Sequence, residues 1–123
     1  MEIRRQYHFR ESATGLQAWD VQKLINKTIG LQPFALALAH IQELDEPYWH
    51  NPLTPRDVTN HVRLIQQCDL SFPIILCCKG RLMDGMHRVC SAVLQGMQTI
   101  PAVQFEHHIP PDYTGKSAEQ LRY

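Results

Sequence analysis

The amino-acid sequence predicts a small α+β domain in which a mixed β-sheet is flanked by helices. Its 123 residues are enough for one compact domain, which we expect to span residues 1–123. Hydrophobic residues make up 44% of the chain and charged residues 20%, which is an ordinary composition for a globular protein. Three segments carry apolar residues at helical spacing, and the short apolar runs between them are typical of strands.

The first 30 residues predict a loose arm followed by a helix. Residues 1–10 are polar and aperiodic, so we expect a loose N-terminal arm. From Gln17 to Ile29 the apolar positions approximate the stripe of an amphipathic helix. Gly30 and then Pro33 follow in the order that is typical of helix stop signals.

The segment from Phe34 to Leu44 predicts a mostly buried strand, although its alanine content also allows a helix. Three acids lie close together at the end of this stretch, Glu43, Asp45 and Glu46. The aromatic, proline-marked segment from Pro47 to Pro52 is interpreted as a loop.

Thr54 to Gln67 is the clearest helix in the sequence. It begins with a hydroxyl cap at Thr54, a proline at the first helical position and an acid, Asp57, near the positive end of the helix dipole. An apolar stripe with i, i+4, i+7 spacing follows, formed by Val58, Val62 and Ile65.

The next part of the chain predicts two strands, a helix and a third strand. The run from Ile74 to Cys78 suits a strand buried on both faces. Lys79 and Gly80 can turn the chain into a short partner strand. The elements expected after this turn are a strand at Arg81 to Met83, a helix from Met86 that Gly96 ends, and a strand at Thr99 to Phe105. Residues 106–123 predict a polar C-terminal tail.

Four cysteines and seven histidines raise the question of disulfides or a metal. Adjacent Cys77 and Cys78 would point to opposite faces of a strand, and we interpret the cysteines as buried free thiols of a cytoplasmic protein. No zinc site is expected, because the histidines lack H-E-x-x-H spacing and no C-x-x-C accompanies them.

Charge and hydropathy exclude two broad classes of partner. Twelve basic residues balance twelve acidic ones, so the total charge does not indicate general nucleic-acid binding or a polybasic membrane anchor. The longest apolar run is far shorter than the roughly 20 residues of a membrane helix, and we expect no signal peptide and no membrane partner. The neutral total conceals two segments of opposite charge. Lys79 to Arg88 contains three basic residues and one acidic residue, whereas Glu43 to Glu46 contains three acidic residues and no basic one.

The segment from Asp84 to Arg88 predicts an anion-binding site. It joins a hairpin to a helix start, where backbone N–H groups and the helix dipole attract anions. Gly85 permits the sharp bend and the close approach of a ligand. His87 and Arg88 lie off the apolar stripe, and a cation in the first turn opposes the dipole unless an anion compensates it. The alternative is that Arg88 pairs with Asp84 or with an acid near residue 43, and that His87 only packs.

This segment and its surroundings resemble the core of the ParB/sulfiredoxin superfamily. The resemblance covers about residues 54–105, with the strand after Phe34 as a candidate for the family's first strand. It rests on the following residues: Pro73-Ile74-Ile75-Leu76, Gly80, Asp84-Gly85-Met86-His87-Arg88, Ala92, Gly96 and Ile100-Pro101-Ala102-Val103. It implies a ParB/sulfiredoxin-like fold.

The resemblance also implies a ligand. In this superfamily the helix-start motif binds nucleotide phosphates, ATP in sulfiredoxins and free-serine kinases and CTP in ParB proteins. The implied phosphate contacts are Gly85, His87 and Arg88, with assistance from the amides of Gly85 and Met86. Asp84 belongs to the same cofactor-binding segment.

Two departures from the family narrow the function. Met86 occupies the position of the reactive cysteine of sulfiredoxins, and a thioether cannot form the required sulfur intermediate. Cys90, one turn later, lies on the packed face of the predicted helix, so sulfinic-acid reductase activity is not expected. After Phe105 too little chain remains for the helix-turn-helix region of partition proteins, so sequence-specific DNA binding is not expected either.

Of the branches of this superfamily, the serine kinases remain compatible with both departures. We therefore expect binding of ATP or CTP with Mg²⁺ at Asp84 to Arg88, and hypothesise ATP-dependent phosphorylation of a small hydroxyl compound such as a hydroxy amino acid. Glu43 is the first candidate for the catalytic base and Asp45 the second, with Glu46 as a candidate magnesium ligand. The alternatives are a non-catalytic module that senses a nucleotide or phosphate and, with less support, a ParB-like nuclease.

Overall fold

The computed structural model describes residues 6–49, 53–116 and 120–121. Within these residues, two β-sheets and three α-helices confirm the predicted α+β class. The strands are β1 (Tyr7–Arg10), β2 (Gln17–Asp20), β3 (Phe34–Ala37), β4 (Ile74–Leu76), β5 (Leu82–Asp84), β6 (Thr99–Gln104) and β7 (Tyr113–Thr114). The helices are α1 (Val21–Lys27), α2 (Pro55–Gln67) and α3 (Met86–Leu94). None of the described helices is long and apolar enough to cross a membrane.

The larger sheet is mixed, as the sequence predicts. Its strand order is β3-β6-β4-β5, with β4 and β6 parallel and the two other neighbouring pairs antiparallel. All three residues of β4 are buried, and successive side chains enter different cores, Ile74 on one face and Ile75 on the other. The strand buried on both faces is therefore confirmed at Ile74–Leu76, while Cys77 and Cys78 belong to the turn that follows.

Two hydrophobic cores cover the two faces of this sheet. One packs α3 and the segment after β3 against the sheet, with Leu38, Ile41, Leu82 and Val89 among its members. The other packs β2 and α1 against the opposite face, and its members are Trp19, Leu24, Ile75, Met83, Val103 and Phe105. Helix α3 begins just after β5, the strand at one edge of this sheet.

The smaller sheet corrects the predicted loose arm. Its order is β1-β2-β7, and β1 pairs antiparallel with β2 in the register Tyr7 to Asp20. Residues 7–10 are therefore a strand rather than a loose arm. They pair with β2, which lies in the segment that the apolar periodicity assigned to a helix. Residues 1–5 lie outside the described residues.

The predicted polar tail is also wrong in part. Tyr113–Thr114 form β7, which pairs with β2, and the Asp112 carboxylate accepts a hydrogen bond of 2.8 Å from the N–H of Asp20. Leu121 is buried. These contacts hold a short polar segment on the sheet by backbone pairing, which needs no apolar stripe. Residues 117–119 and 122–123 of the tail lie outside the described residues.

The predicted helix from Gln17 to Ile29 divides into β2 and a shorter helix, α1. Asp20 causes the division, because its Oδ1 accepts hydrogen bonds from the N–H groups of Gln22 and Lys23 and so caps a helix that begins at Val21. The predicted stop at Gly30 is close to the observed one, since α1 ends at Lys27.

The predicted strand from Phe34 to Leu44 is confirmed only as far as Ala37. Two 3₁₀ turns follow at Leu38–His40 and Gln42–Asp45. They bring Leu38 and Ile41, three residues apart, into the same core. The second turn also carries Glu43, which is buried.

Helix α2 is confirmed, including a capping box between Thr54 and Asp57. Its predicted apolar stripe stays half exposed, with Val58 47% and Val62 45% exposed. Residues 47–49 of the predicted loop form no helix or strand, and residues 50–52 lie outside the described residues. All four cysteines are free, as predicted, but they are only partly buried, whereas the sequence predicted buried thiols.

Candidate functional site

Gly85 connects β5 to α3 and shapes the start of the helix. It is the N-cap residue, with φ at +114°, and no side chain caps the helix there. A Cβ atom at this position would lie 2.6 Å from Cγ2 of Ile74 and 2.9 Å from Nη2 of Arg88. Only glycine therefore fits both the backbone conformation and the space.

Arg88 folds back over this glycine. Its Nη2 donates to Oδ2 of Asp84 at 3.1 Å and to the carbonyl oxygen of Pro73 at 3.3 Å. The structure thus contains the ion pair that the sequence left open as an alternative. Nε of Arg88 is buried and has no partner among the described residues, so one donor of this side chain is unused.

His87 turns away from Arg88 and joins an aromatic stack. Its Nε2 lies 2.8 Å from Nδ1 of His61, and its ring centroid lies 5.6 Å from that of Trp49. Burial, followed by the neighbouring His61, lowers the pKa of His87. His87 is therefore neutral near pH 7 and can offer an N–H donor to a ligand but no positive charge.

An apolar cavity of about 500 Å³ opens beside Arg88. Asp84 and Arg88 form its polar wall, and the rest of the lining is mostly apolar and comes from α1, β4, β6 and residues 72–73. His87 does not belong to the described lining. Of the five predicted cofactor residues, Asp84 and Arg88 thus face this cavity, whereas His87 faces α2 and Met86 is buried in the core.

The three predicted acids do not converge on Arg88. Glu43 is only 7% exposed; its Oε2 accepts the N–H of Leu82 at 2.7 Å and lies 3.2 Å from Nε of Arg81. Glu46 pairs with the same arginine, its Oε1 lying 2.7 Å from Nη2. Asp45 is exposed. Two of the acids therefore bind Arg81 at the beginning of β5.

Strand β5 nevertheless links the acids to the start of α3. Glu43 holds Leu82 at one end of the strand and Asp84 lies at the other, two residues and about 7 Å further along. Tyr48 lies near both carboxylates: burial first, and then the charges of Asp84 and Glu43, raise its pKa to about 12.

Tyr48 and His61 are neighbours of this site that the sequence pattern did not predict. The aromatic loop around Trp49 was a signal for Tyr48, but nothing in the local pattern of α2 distinguishes His61. No group of three or more His, Cys, Asp or Glu side chains within residues 6–49, 53–116 and 120–121 is arranged to hold a metal ion. A magnesium ion at Glu46 would have to displace Arg81.

Comparisons of the chain with protein-family models, curated proteins and solved structures found no match. The resemblance to the ParB/sulfiredoxin superfamily therefore rests on the residue pattern from Pro73 to Val103. The function has to be inferred from that pattern and from the geometry around α3.

Proposed function

We propose that this protein is a ParB/sulfiredoxin-like domain that binds a nucleoside triphosphate, ATP or CTP with Mg²⁺, at the start of α3. One observation carries the proposal: Gly85 gives α3 an N-terminus that no side chain caps. The first N–H groups of a helix need an acceptor from outside the helix, and phosphate oxygens are suitable acceptors at the positive end of the dipole.

Arg88 supports this proposal through its position over Gly85. Its Nη2 would lie 2.9 Å from a Cβ atom at Gly85, so the guanidinium borders the space next to the helix start. Its unused Nε–H and its charge suit a phosphate, although Asp84 neutralises the charge in the free protein. Bound phosphate would replace Asp84 as an acceptor, with the amides of Gly85 and Met86 as further donors. His87 would join them only by giving up its contact with His61.

A non-catalytic module that senses the nucleotide is favoured over an enzyme. Glu43 and Glu46 both bind Arg81, so neither is free to act as a base or to hold Mg²⁺ without a rearrangement. The second candidate, a kinase for a small hydroxyl compound, is favoured by the burial of Glu43 at the other end of β5 from Asp84. In that case Glu43, or else the exposed Asp45, would accept the hydroxyl proton and Glu46 would hold Mg²⁺.

Calorimetric titration with ATP and CTP, with and without Mg²⁺, tests the binding. We expect Arg88→Ala to weaken binding by about ten- to a hundredfold, the range for losing a charged hydrogen bond. Arg63→Ala, on the exposed side of α2, is the matched control and should bind like the wild type. If neither nucleotide gives a heat of binding with the wild type, the proposal is wrong.

A turnover assay separates the two candidates. Labelled ATP is incubated with hydroxy amino acids and the wild type or Glu43→Gln. Binding without phosphate transfer supports the sensing module. Transfer that Glu43→Gln abolishes supports the kinase, and transfer that survives in Glu43→Gln removes this residue from the mechanism.

A further inference from the structure

A second cleft, away from the cavity beside Arg88, has aromatic walls and acidic side chains. It encloses about 570 Å³ between β1, the loop before α2 and the start of α2. We call it the aromatic cleft and define it by six of its lining residues: Tyr7, Phe9, Glu11, Tyr48, Trp49 and Asp57. None of these residues was assigned a role in nucleotide binding.

The four aromatic rings form two contacting pairs, and each pair lines one side of the cleft. Tyr48 and Trp49 meet edge to face, with centroids 5.8 Å apart and planes at 86°, so they make a corner. Tyr7 and Phe9, which lie on the same side of β1, have centroids 6.2 Å apart and planes tilted by 40°. All four side chains are half-buried and line the cleft. Trp49 also packs on His61, with centroids 4.1 Å apart, and Tyr7 on Tyr113, with centroids 6.1 Å apart.

The cleft carries two carboxylates. Glu11 is exposed at its rim, and hydrogen bonds from the backbone and side chain of Thr54 lower the pKa of Asp57, so the Asp57 carboxylate is ionised at neutral pH. The described lining contains no lysine or arginine. His8 and His61 also line the cleft. Burial and then the charge of Arg10 lower the pKa of His8 to about 3, so His8 adds no positive charge, whereas the charge of His61 contributes to lowering the pKa of Asp57.

Arg10 lies close by but does not belong to the described lining of the cleft. Its Nε donates to Nε2 of His8 at 2.9 Å, and its guanidinium lies over the ring of Trp19, 5.6 Å from the centroid. The charge of Arg10 nevertheless reaches Tyr48, whose pKa it lowers against the larger effect of burial. Aromatic faces and carboxylates thus meet in one cleft whose described lining holds no lysine or arginine.

We propose that the aromatic cleft binds a quaternary ammonium group. Ring faces attract a cation through their quadrupoles, and the carboxylates of Glu11 and Asp57 add charge complementarity. A trimethylated nitrogen has no N–H group that needs an acceptor, so the rings can replace its water without leaving a donor unsatisfied. A primary ammonium holds its water more tightly and gains less from the rings.

Titration with choline, followed by tryptophan fluorescence and calorimetry, tests the cleft. The neutral isostere 3,3-dimethyl-1-butanol has the same shape, and we expect it to bind at least about tenfold more weakly because cation–π attraction is lost. Equal binding of the two compounds, or no binding of choline, overturns the proposal.

Two variants locate the binding. Trp49→Leu should weaken choline binding severalfold by removing one wall, and Glu11→Gln should weaken it less while leaving the fold intact, since Glu11 is exposed. The matched control is Glu106→Gln, an exposed acid that does not line the cleft. Choline binding that resists both variants overturns the assignment to this cleft.

The trimethylammonium group could belong to a free metabolite or to a trimethylated lysine side chain. Parallel titrations with choline and with a short peptide that carries trimethyl-lysine distinguish these sources, because extra affinity for the peptide identifies a protein partner. The six residues that define the cleft are not among the proposed phosphate contacts, although Trp49 stacks on His87, so nucleotide titration of the wild type remains a separate measurement. Failure of choline to bind does not affect the nucleotide proposal, and the reverse also holds.

Discussion

Nδ1 of His61 and Nε2 of His87 lie 2.8 Å apart, and this contact joins α2 to the first turn of α3. One ring must donate and the other accept, so both cannot carry two protons at once. Trp49 stacks on both rings, with its centroid 4.1 Å from that of His61. The protonation of His87, in the first turn of α3, therefore depends on His61, which is 26 positions away in the sequence.

Replacing His61 should change the titration of His87. We expect His61→Ala to raise the pKa of His87 towards its ordinary value of 6.5, because it removes a repelling charge and uncovers the ring. Proton–nitrogen NMR of the histidine rings across pH 4–9 measures the shift. His40→Ala, at an exposed histidine, is the control; an unchanged titration of His87 in His61→Ala would contradict the contact.

Gly85 should be the least replaceable glycine of the site. Gly85→Ala combines a positive φ with a Cβ position 2.6 Å from Cγ2 of Ile74, and we expect a loss of about 2–4 kcal/mol of unfolding free energy. Gly96→Ala has a positive φ but open space, and should cost only about 1–2 kcal/mol. Urea unfolding followed by circular dichroism compares the two variants, and equal losses would show that the contact with Ile74 carries no cost.

Glu43 should contribute to stability whether or not it is catalytic. Glu43→Ala leaves the buried N–H of Leu82 without its acceptor and removes one partner of Arg81, at an expected cost of about 2–4 kcal/mol. Glu46→Ala, which removes the more exposed partner of the same arginine, should cost less than about 1 kcal/mol. Urea unfolding of both variants measures this difference, and similar small losses would contradict the buried role.

His8 should make the fold sensitive to acid. Its pKa falls from 6.5 in the unfolded chain to about 3 in the folded protein, so the unfolded chain binds the extra proton between these values and stability declines as the pH falls through that window. At pH 4.5 the loss from this residue should be about 2–3 kcal/mol relative to pH 7.5.

His8→Gln measures this contribution. Glutamine keeps an acceptor for Arg10 but does not titrate. The pH dependence of the unfolding free energy should be flatter in the variant by the same amount, with urea unfolding at both pH values as the readout. Parallel curves for the two proteins would show that His8 is not protonated on unfolding.

Local signals explain which elements the sequence could predict. The capping box of Thr54 and Asp57 lies within four residues, and the prediction of α2 was accordingly accurate. Strands β1 and β7 have four and two residues, and they depend on backbone pairing with β2. Such pairing leaves no periodic pattern, so both strands were missed.

The candidate site likewise has local features that the sequence could predict and long-range contacts that it could not. The turn at Gly85 and its position before α3 follow from local chemistry, and the sequence located both. The contacts of Arg88 with Pro73 and of His87 with His61 join separate elements, 15 and 26 residues apart. Their geometry depends on how β4 and α2 pack against α3, which no local pattern contains.

The pairing of β2 with β7 affects how the chain matures during its synthesis. Trp19 and Asp20 bind Ile109 and Asp112, across 90 and 92 positions of sequence, and contacts of such high sequence separation form slowly. On the ribosome the mixed sheet can assemble once residue 104 has emerged, while β1 and β2 still wait for β7. The hairpin of β1 and β2 is therefore the part of the nascent chain that is longest without its full set of partners.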